Sequence, residues 1–231
     1  GRMLALWNTK PRCTWQTDEY YIQEAATLTP SEFNRLHRNQ WSETSEAFIP
    51  IDWWRGCKVD TMPAQERKGV VIGIDAAVEN DCFAVVVMSR IGMKVQVREC
   101  KIWYPPKNGQ INLADVETEL LRLFKLYAVV EVAYDPYQMA SMAQRLKGNV
   151  FWKPFLQGVG RLVADKRLYD MIRDRQVEYL DEFPELTQHI VNADRKPEED
   201  KLRIIKRTQA GKIDAVVAMS MATDRIMTYN L

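Results

Sequence analysis

The sequence predicts a mixed α/β fold, a sheet of three antiparallel strands followed by parallel strands and flanked by helices, on three observations. Residues 69 to 75, 82 to 89 and 93 to 103 are consecutive apolar runs joined by short polar links, the pattern of an antiparallel meander. The run VVEVAYD, residues 129 to 135, is a second buried strand set between helical patterns, so βαβ-type connections and parallel pairing follow the meander. Hydrophobic residues make up 46% of 231 positions, enough for one full domain with a sizeable core and an appendage.

Taken in order, residues 1 to 65 hold five of the seven tryptophans (Trp7, Trp15, Trp41, Trp53, Trp54) and no strand series. One helix is predicted there, in TPSEFNRLHRNQW, where Thr29 and Pro30 start the helix and Phe33, Leu36 and Trp41 recur at roughly helical spacing. So many aromatic residues on short elements need a surface to pack against. The polar run TMPAQERKG, residues 61 to 69, marks the boundary, leaving a domain at 66 to 231. Within it, a helix over 111 to 127 puts Leu113, Val116, Leu120, Leu123, Phe124 and Tyr127 on one face. A helix from Pro136 to about Lys147, a short strand NVFWKP, helices over 161 to 194 and a last helix over 213 to 227 complete the domain.

Composition excludes more than it identifies. The net charge is +1, so any polyanion-binding surface must be local. Cys13, Cys57, Cys82 and Cys100 are far apart and lack zinc-site spacing, which fits reduced core thiols. No run approaches the roughly 20 apolar residues of a membrane span, and GRMLALWNTKPR lacks a signal-peptide core. The expectation is a soluble, intracellular protein with no membrane partner.

Three carboxylates stand at the ends of apolar elements: Asp75 closes GVVIGID, Asp135 closes VVEVAYD, and Asp214 opens the final helix. In open α/β sheets, ligands bind beyond the carboxyl ends of the strands, where Asp75 and Asp135 meet if their strands are parallel neighbours. Two of them have a plainer explanation. Asp135 before Pro136 is also a helix cap, and Asp214 also complements a helix dipole. Asp75 has neither excuse, because AAVENDCF after it reads as a hairpin, with Asp81 as a turn residue. Converging carboxylates without a catalytic His or Cys suit hard divalent cations, Mg²⁺ or Mn²⁺, which would offset the cost of burying Asp75. His37 and His189 read as structural or exposed residues.

The stretches VVIGIDAAVENDCFAVVV, VVEVAYDPYQMASMAQRLK and LRIIKRTQAGKIDAVVAMSMA, with TDEYY and LTPSEFNRLHRNQWSETSEAFIP before them, carry a resemblance. Their order is similar to the ribonuclease H-like fold, and more specifically to the C-terminal nuclease domain of the large terminase subunit of tailed bacteriophages. The resemblance implies a metal-dependent endonuclease that cuts concatemeric double-stranded viral DNA during packaging, with Asp75, Asp135 and Asp214 as its catalytic, metal-binding acids. It also implies an ATPase motor, a portal protein and a small terminase subunit as partners, and a place in the host cytoplasm at the procapsid. No GxxxxGK[ST] loop is present, so residues 1 to 65 are expected to join the nuclease to a motor outside this sequence. Some relatives carry another acid beside the third aspartate, where this chain has Ile213.

DNA contacts are expected to be local and backbone-directed. KLRIIKRTQAGK, residues 201 to 212, has five basic residues and no acid, and leads into Asp214; it nominates Arg203, Lys206, Arg207 and Lys212. The QGVGR loop and the residues after it add Arg161 and Lys166. Two alternatives accompany the nuclease. An actin-like or sugar-kinase-like ATPase shares the strand-Asp-hairpin start but needs glycine-rich phosphate hairpins that AAVEN and PYQM do not supply. A catalytically silent DNA-clamping module would keep the fold without turnover.

Overall fold

The computed structural model describes residues 13–27, 30–39, 46–63, 69–76, 81–107, 109–148, 150–180, 183–198 and 200–229. They fall into two compact units, Gly1–Glu46 and Ala47–Leu231. In the first, α1 (Asp18–Thr27) and α2 (Pro30–His37) carry an aromatic cluster in which Tyr20, Tyr21 and Phe33 surround the His37 ring. His37 Nε2 lies 3.2 Å from Glu24 Oε2, which makes the histidine structural. Helix α2 is the one expected from TPSEFNRLHRNQW, although Trp41 lies outside the described residues; α1 has no counterpart in the sequence reading.

The second unit is built on a sheet of six strands in the order β6-β5-β2-β3-β4-β7. β2 (Gly69–Asp75), β3 (Phe83–Ile91) and β4 (Lys94–Trp103) form the expected antiparallel meander. The turn between β3 and β4 places Gly92 at φ +61°, a left-handed conformation natural to glycine. β5 (Ala128–Tyr134) lies parallel to β2, β6 (Trp152–Pro154) parallel to β5, and β7 (Val177–Glu178) parallel to β4. The residues of the link between β2 and β3 at 77–80 lie outside the described set.

Both sheet faces are covered, which explains why β2, β3 and β5 read as near-continuous apolar runs. Val70, Ile72 and Ile74 of β2 pack with Phe83, Val85 and Val87 against α4 (Leu113–Leu126) and α5 (Pro136–Leu146). Asn112 caps α4 by accepting from the Ala114 N–H at 3.1 Å, and Val116, Leu120 and Leu123 supply its buried stripe. On the other face, Val71 joins Ala84, Val86 and Met88 against α6 (Val159–Arg173), α7 (Pro184–Val191) and α8 (Asp214–Ile226).

Helix α8 is the central element of that second face, buried along Asp214–Thr223. Its small residues Ala215, Ala218, Ser220 and Ala222 let it approach the sheet closely, and Gly73 makes the approach possible. A Cβ at Gly73 would lie 1.9 Å from the Ala218 carbonyl oxygen. The far end is held by Glu131 on β5, fully buried, which accepts from Arg225 Nε at 2.5 Å, Arg225 Nη2 at 2.8 Å and the Tyr229 hydroxyl at 2.6 Å.

Three further features depart from the sequence reading. Strand β7, paired with β4, interrupts the helical stretch expected over residues 161 to 194. β8 (Ala193–Glu198) and β9 (Lys201–Lys206) form an antiparallel hairpin in a second sheet of order β1-β8-β9, where β1 is Glu46–Ala47. The alternation of buried Leu202 and Ile204 with less buried neighbours makes β9 a strand, a pattern hidden by its basic residues. The second unit also begins at Ala47, ahead of the boundary expected near residue 65. Phe48 is fully buried and donates its N–H to Ala193 O at 2.9 Å. Trp54, within α3 (Ile51–Arg55), stacks on Tyr179 with centroids 4.0 Å apart and donates Nε1 to Thr187 Oγ1 at 3.0 Å. These aromatics therefore find their packing surface inside the sheet-bearing unit.

Two substitutions test the seating of α8. Gly73→Ala forces a methyl into the Ala218 carbonyl and is expected to cost at least about 1–3 kcal/mol. Arg225→Met leaves Glu131 buried without its cation and is expected to cost about 3–5 kcal/mol. Chemical denaturation reads both, and wild-type midpoints would contradict the packing described.

Candidate metal centre

Strand geometry brings the first two acids together. In the parallel β2–β5 register Ile74 sits opposite Tyr134, so the next residues, Asp75 and Asp135, emerge side by side at the carboxyl edge of the sheet. Alternation puts Asp75 on the same face as Val71 and Gly73, the face on which α8 lies. Because Gly73 admits the helix so closely, Asp214 at its first residue arrives at the same edge.

The three carboxylates have different surroundings. Asp135 is the N-cap of α5: one oxygen accepts from the Tyr137 N–H at 2.9 Å, and the other from Gln157 Nε2 at 2.9 Å. The cap reading and the ligand reading are thus compatible, because each oxygen keeps a second lone pair. Asp214 is buried and accepts from the Cys82 thiol at 2.9 Å. Burial pushes its pKa up to about 6, against the lowering effect of that hydrogen bond. Asp75 is shifted further, up to about 7: burial is the main cause, Arg161 opposes it, and the charges of Asp214, Asp135 and Asp81 add to it. Electrostatically these acids form one cluster.

His189 is a residue that sequence reasoning passed over as structural, and its structural role is specific. Its Nδ1 accepts the Ala215 N–H at 3.1 Å, so a side chain from α7 caps the first turn of α8 and fixes the direction of Asp214. Its Nε2 lies 3.3 Å from the Tyr104 hydroxyl. Burial lowers the His189 pKa to about 4, which keeps the ring neutral and able to accept. Among the described residues, ligand atoms of Cys82, His189 and Asp214 lie within 4.8 Å of one another, a grouping that superficially suits a soft metal. Each is already engaged: the thiol, its pKa raised by burial, donates to Asp214, and the imidazole nitrogen accepts from backbone. Asp75, Asp135 and Asp214 do not fall within that distance of one another as a group, but they offer the all-oxygen donor set that suits a hard divalent ion.

Asp81 is more than a turn residue. It accepts from Lys206 on β9 and from Lys212 at 3.1 Å, and these two cations outweigh burial and hold its carboxyl below the usual range. Lys206 and Lys212 thus stand beside the acid cluster. Arg207 is paired with Asp194 at 2.8 Å and Lys166 with Asp170 at 2.5 Å, while Arg203 lies partly exposed on β9. Arg161 departs from expectation. It is buried, and its Nε is committed to Asp165 Oδ1 at 2.7 Å, so it is not a surface phosphate contact.

The model of the family described as "Terminase large subunit, endonuclease domain" matches residues 106–229, more than half of the chain. The chain belongs to this terminase family. No curated protein sequence matches it. The large terminase of HK97 bacteriophage has the same fold, with a TM-score of 0.68 at 20% identity over 92% of this chain and 51% of that one. The large terminase nuclease of thermophilic phage G20c aligns with a TM-score of 0.58 at 13% identity, over 78% of this chain and 98% of that one. A G20c nuclease structure with bound magnesium aligns with a TM-score of 0.53 at 14% identity, over 78% and 97%. The terminase chain therefore has the ribonuclease H-like fold, and it spans about half the length of the HK97 protein. The kinase-like alternative gives way to this family.

The charge cluster has a pH signature in metal-free protein. The raised pKa of Asp75 contributes stability fully present below its ordinary value of 3.8 and lost as pH rises through about 7. Thermal unfolding in chelator should show stability falling from pH 5 to pH 8, and Asp75→Asn should flatten the fall. Parallel profiles for the two proteins would contradict the cluster.

Proposed function

We propose that this chain is the nuclease portion of a packaging terminase, a divalent-metal-dependent endonuclease that hydrolyses phosphodiester bonds of concatemeric double-stranded viral DNA. The observation that carries the proposal is the convergence of Asp75, Asp135 and Asp214 at one edge of the sheet, with Asp75 held near neutral pKa by burial and its acidic neighbours. Mg²⁺ or Mn²⁺ would be held by these carboxylates. One or two such ions, when bound, supply a water of lowered pKa and stabilise the departing 3′ oxygen. The magnesium-bound G20c relative supports that choice of ion.

The protein's own groups do the rest. Asp135 is oriented through both oxygens, Asp214 is aimed by the His189-capped first turn, and Asp75 is fixed at a strand end. Lys206 and Lys212 provide a basic rim for phosphates beside the acids, and Arg203, on the opposite face of β9, is a more distant contact. Arg207 and Lys166 are secondary contacts. No helix among the described residues is long and apolar enough to cross a membrane. The residues ahead of the sheet join the nuclease to a motor ATPase, and the portal and small terminase subunit are the remaining partners, in the host cytoplasm.

Supercoiled plasmid is the direct substrate test. Cutting is expected with Mn²⁺ or Mg²⁺, to stop with chelator, and to be abolished by Asp75→Ala or Asp135→Ala while circular dichroism stays unchanged. Full activity in either variant sinks the metal assignment, and a folded wild type that binds without cutting would favour the silent clamp. DNA affinity should fall with salt, with a log–log slope of about 0.9 per phosphate contact, and Lys206→Ala should make that slope shallower; a flat response contradicts phosphate recognition.

A further inference from the structure

Arg161 and Asp165, four residues apart, share one face at the start of α6, and Gln157 lies just ahead of the helix, before its N-cap Gly158. Asp165 is fully buried, and both of its oxygens are engaged. Its Oδ1 accepts from Arg161 Nε at 2.7 Å and from Ser220 Oγ at 2.6 Å, and its Oδ2 accepts from the Ile204 N–H at 2.9 Å. Those donors lie on α6, α8 and β9, so the carboxylate is anchored to three elements. Arg161 is only 4% exposed; its Nη1 donates to Gln157 Oε1 at 2.8 Å, and Gln157 Nε2 donates to Asp135 Oδ2 at 2.9 Å.

We propose that Gln157 and Arg161 are positioning residues for Asp135, transmitting the fixed geometry of buried Asp165 through a polar relay to a metal-binding carboxylate. The order of residue types is forced by hydrogen-bond chemistry. A guanidinium only donates and a carboxylate only accepts, so the group between Arg161 and Asp135 must accept on one side and donate on the other. A glutamine amide does both. With Oε1 facing the guanidinium, the amide nitrogen must face Asp135. The backbone N–H of Tyr137 fixes one oxygen of that carboxylate, and without Gln157 the other is free to rotate about it. The inference rests on Asp135 being a metal ligand. It adds that ligand orientation is set from α6, outside the strand and helix that carry the acid. Partners of this kind are worth about 10- to 100-fold in metal affinity.

Gln157 is partly exposed and outside the helix proper, so its substitution tests the relay without dismantling the core. The decisive variant is Gln157→Glu. It keeps the size and can pair with Arg161, and it has no donor for Asp135. Calorimetric titration of Mn²⁺ into the whole chain should show Gln157→Ala and Gln157→Glu both weakened by about 10- to 100-fold, with melting temperatures close to wild type. The Mn²⁺ concentration for half-maximal plasmid cutting should rise in step. If Gln157 only holds Arg161 in place, Gln157→Glu binds Mn²⁺ like wild type, and that result overturns the relay. Asp135→Ala in the same titration separates the two levels: loss of Mn²⁺ binding there with normal binding in Gln157→Glu condemns the relay alone. Normal binding in Asp135→Ala overturns the ligand assignment and the relay together.

Discussion

The close seating of α8 on β2 at Gly73 is the contact on which the rest of this structure depends. A parallel strand pair brings Asp75 and Asp135 to one edge without help, because adjacent strand ends are adjacent in space. The third acid comes from a helix nearly 140 residues later in the chain, and only a helix lying against the strand itself can deliver it. The missing side chain at Gly73 and the small residues along α8 permit that approach. The Glu131–Arg225–Tyr229 network fixes its far end, and the His189 cap fixes its near end. Packing precision thereby becomes site precision.

Bringing acids together is unfavourable, and the fold shows how the cost is distributed. Asp81 is neutralised by Lys206 and Lys212, and Arg161 acts on Asp75 from within the protein. Asp214 shares one oxygen with a neutral thiol. None of these offsets the burial of Asp75, which, with the smaller effect of its acidic neighbours, leaves its pKa raised. A site left short of positive charge in this way is suited to recruit a cation. The surrounding groups orient the carboxylates.

Most of the sheet, and the places of Asp75, Asp135 and Asp214 at element ends, were legible in the sequence, because each is marked by local pattern: apolar runs ending on a carboxylate and a late helix opening on one. The kinship of the chain was legible for the same reason, in the order of those elements. What escaped notice depends on contacts distant in sequence. The β8–β9 hairpin was obscured because its charges drew attention from the alternation of Leu202 and Ile204. Trp54 reads as part of a separate segment until Tyr179 is seen beneath it. Arg161 looks like a surface cation until it is seen buried and paired with Asp165. The four-residue spacing of Gln157, Arg161 and Asp165 was the one available signal, and it gains meaning only when Asp135 appears at its end.

Anomalous diffraction from crystals soaked in Mn²⁺ would test the central claim most directly, because it locates the ion without relying on turnover. The proposed site predicts density bounded by the carboxylates of Asp75, Asp135 and Asp214. Density held instead by Cys82 and His189 with Asp214, leaving Asp75 and Asp135 unliganded, would contradict it.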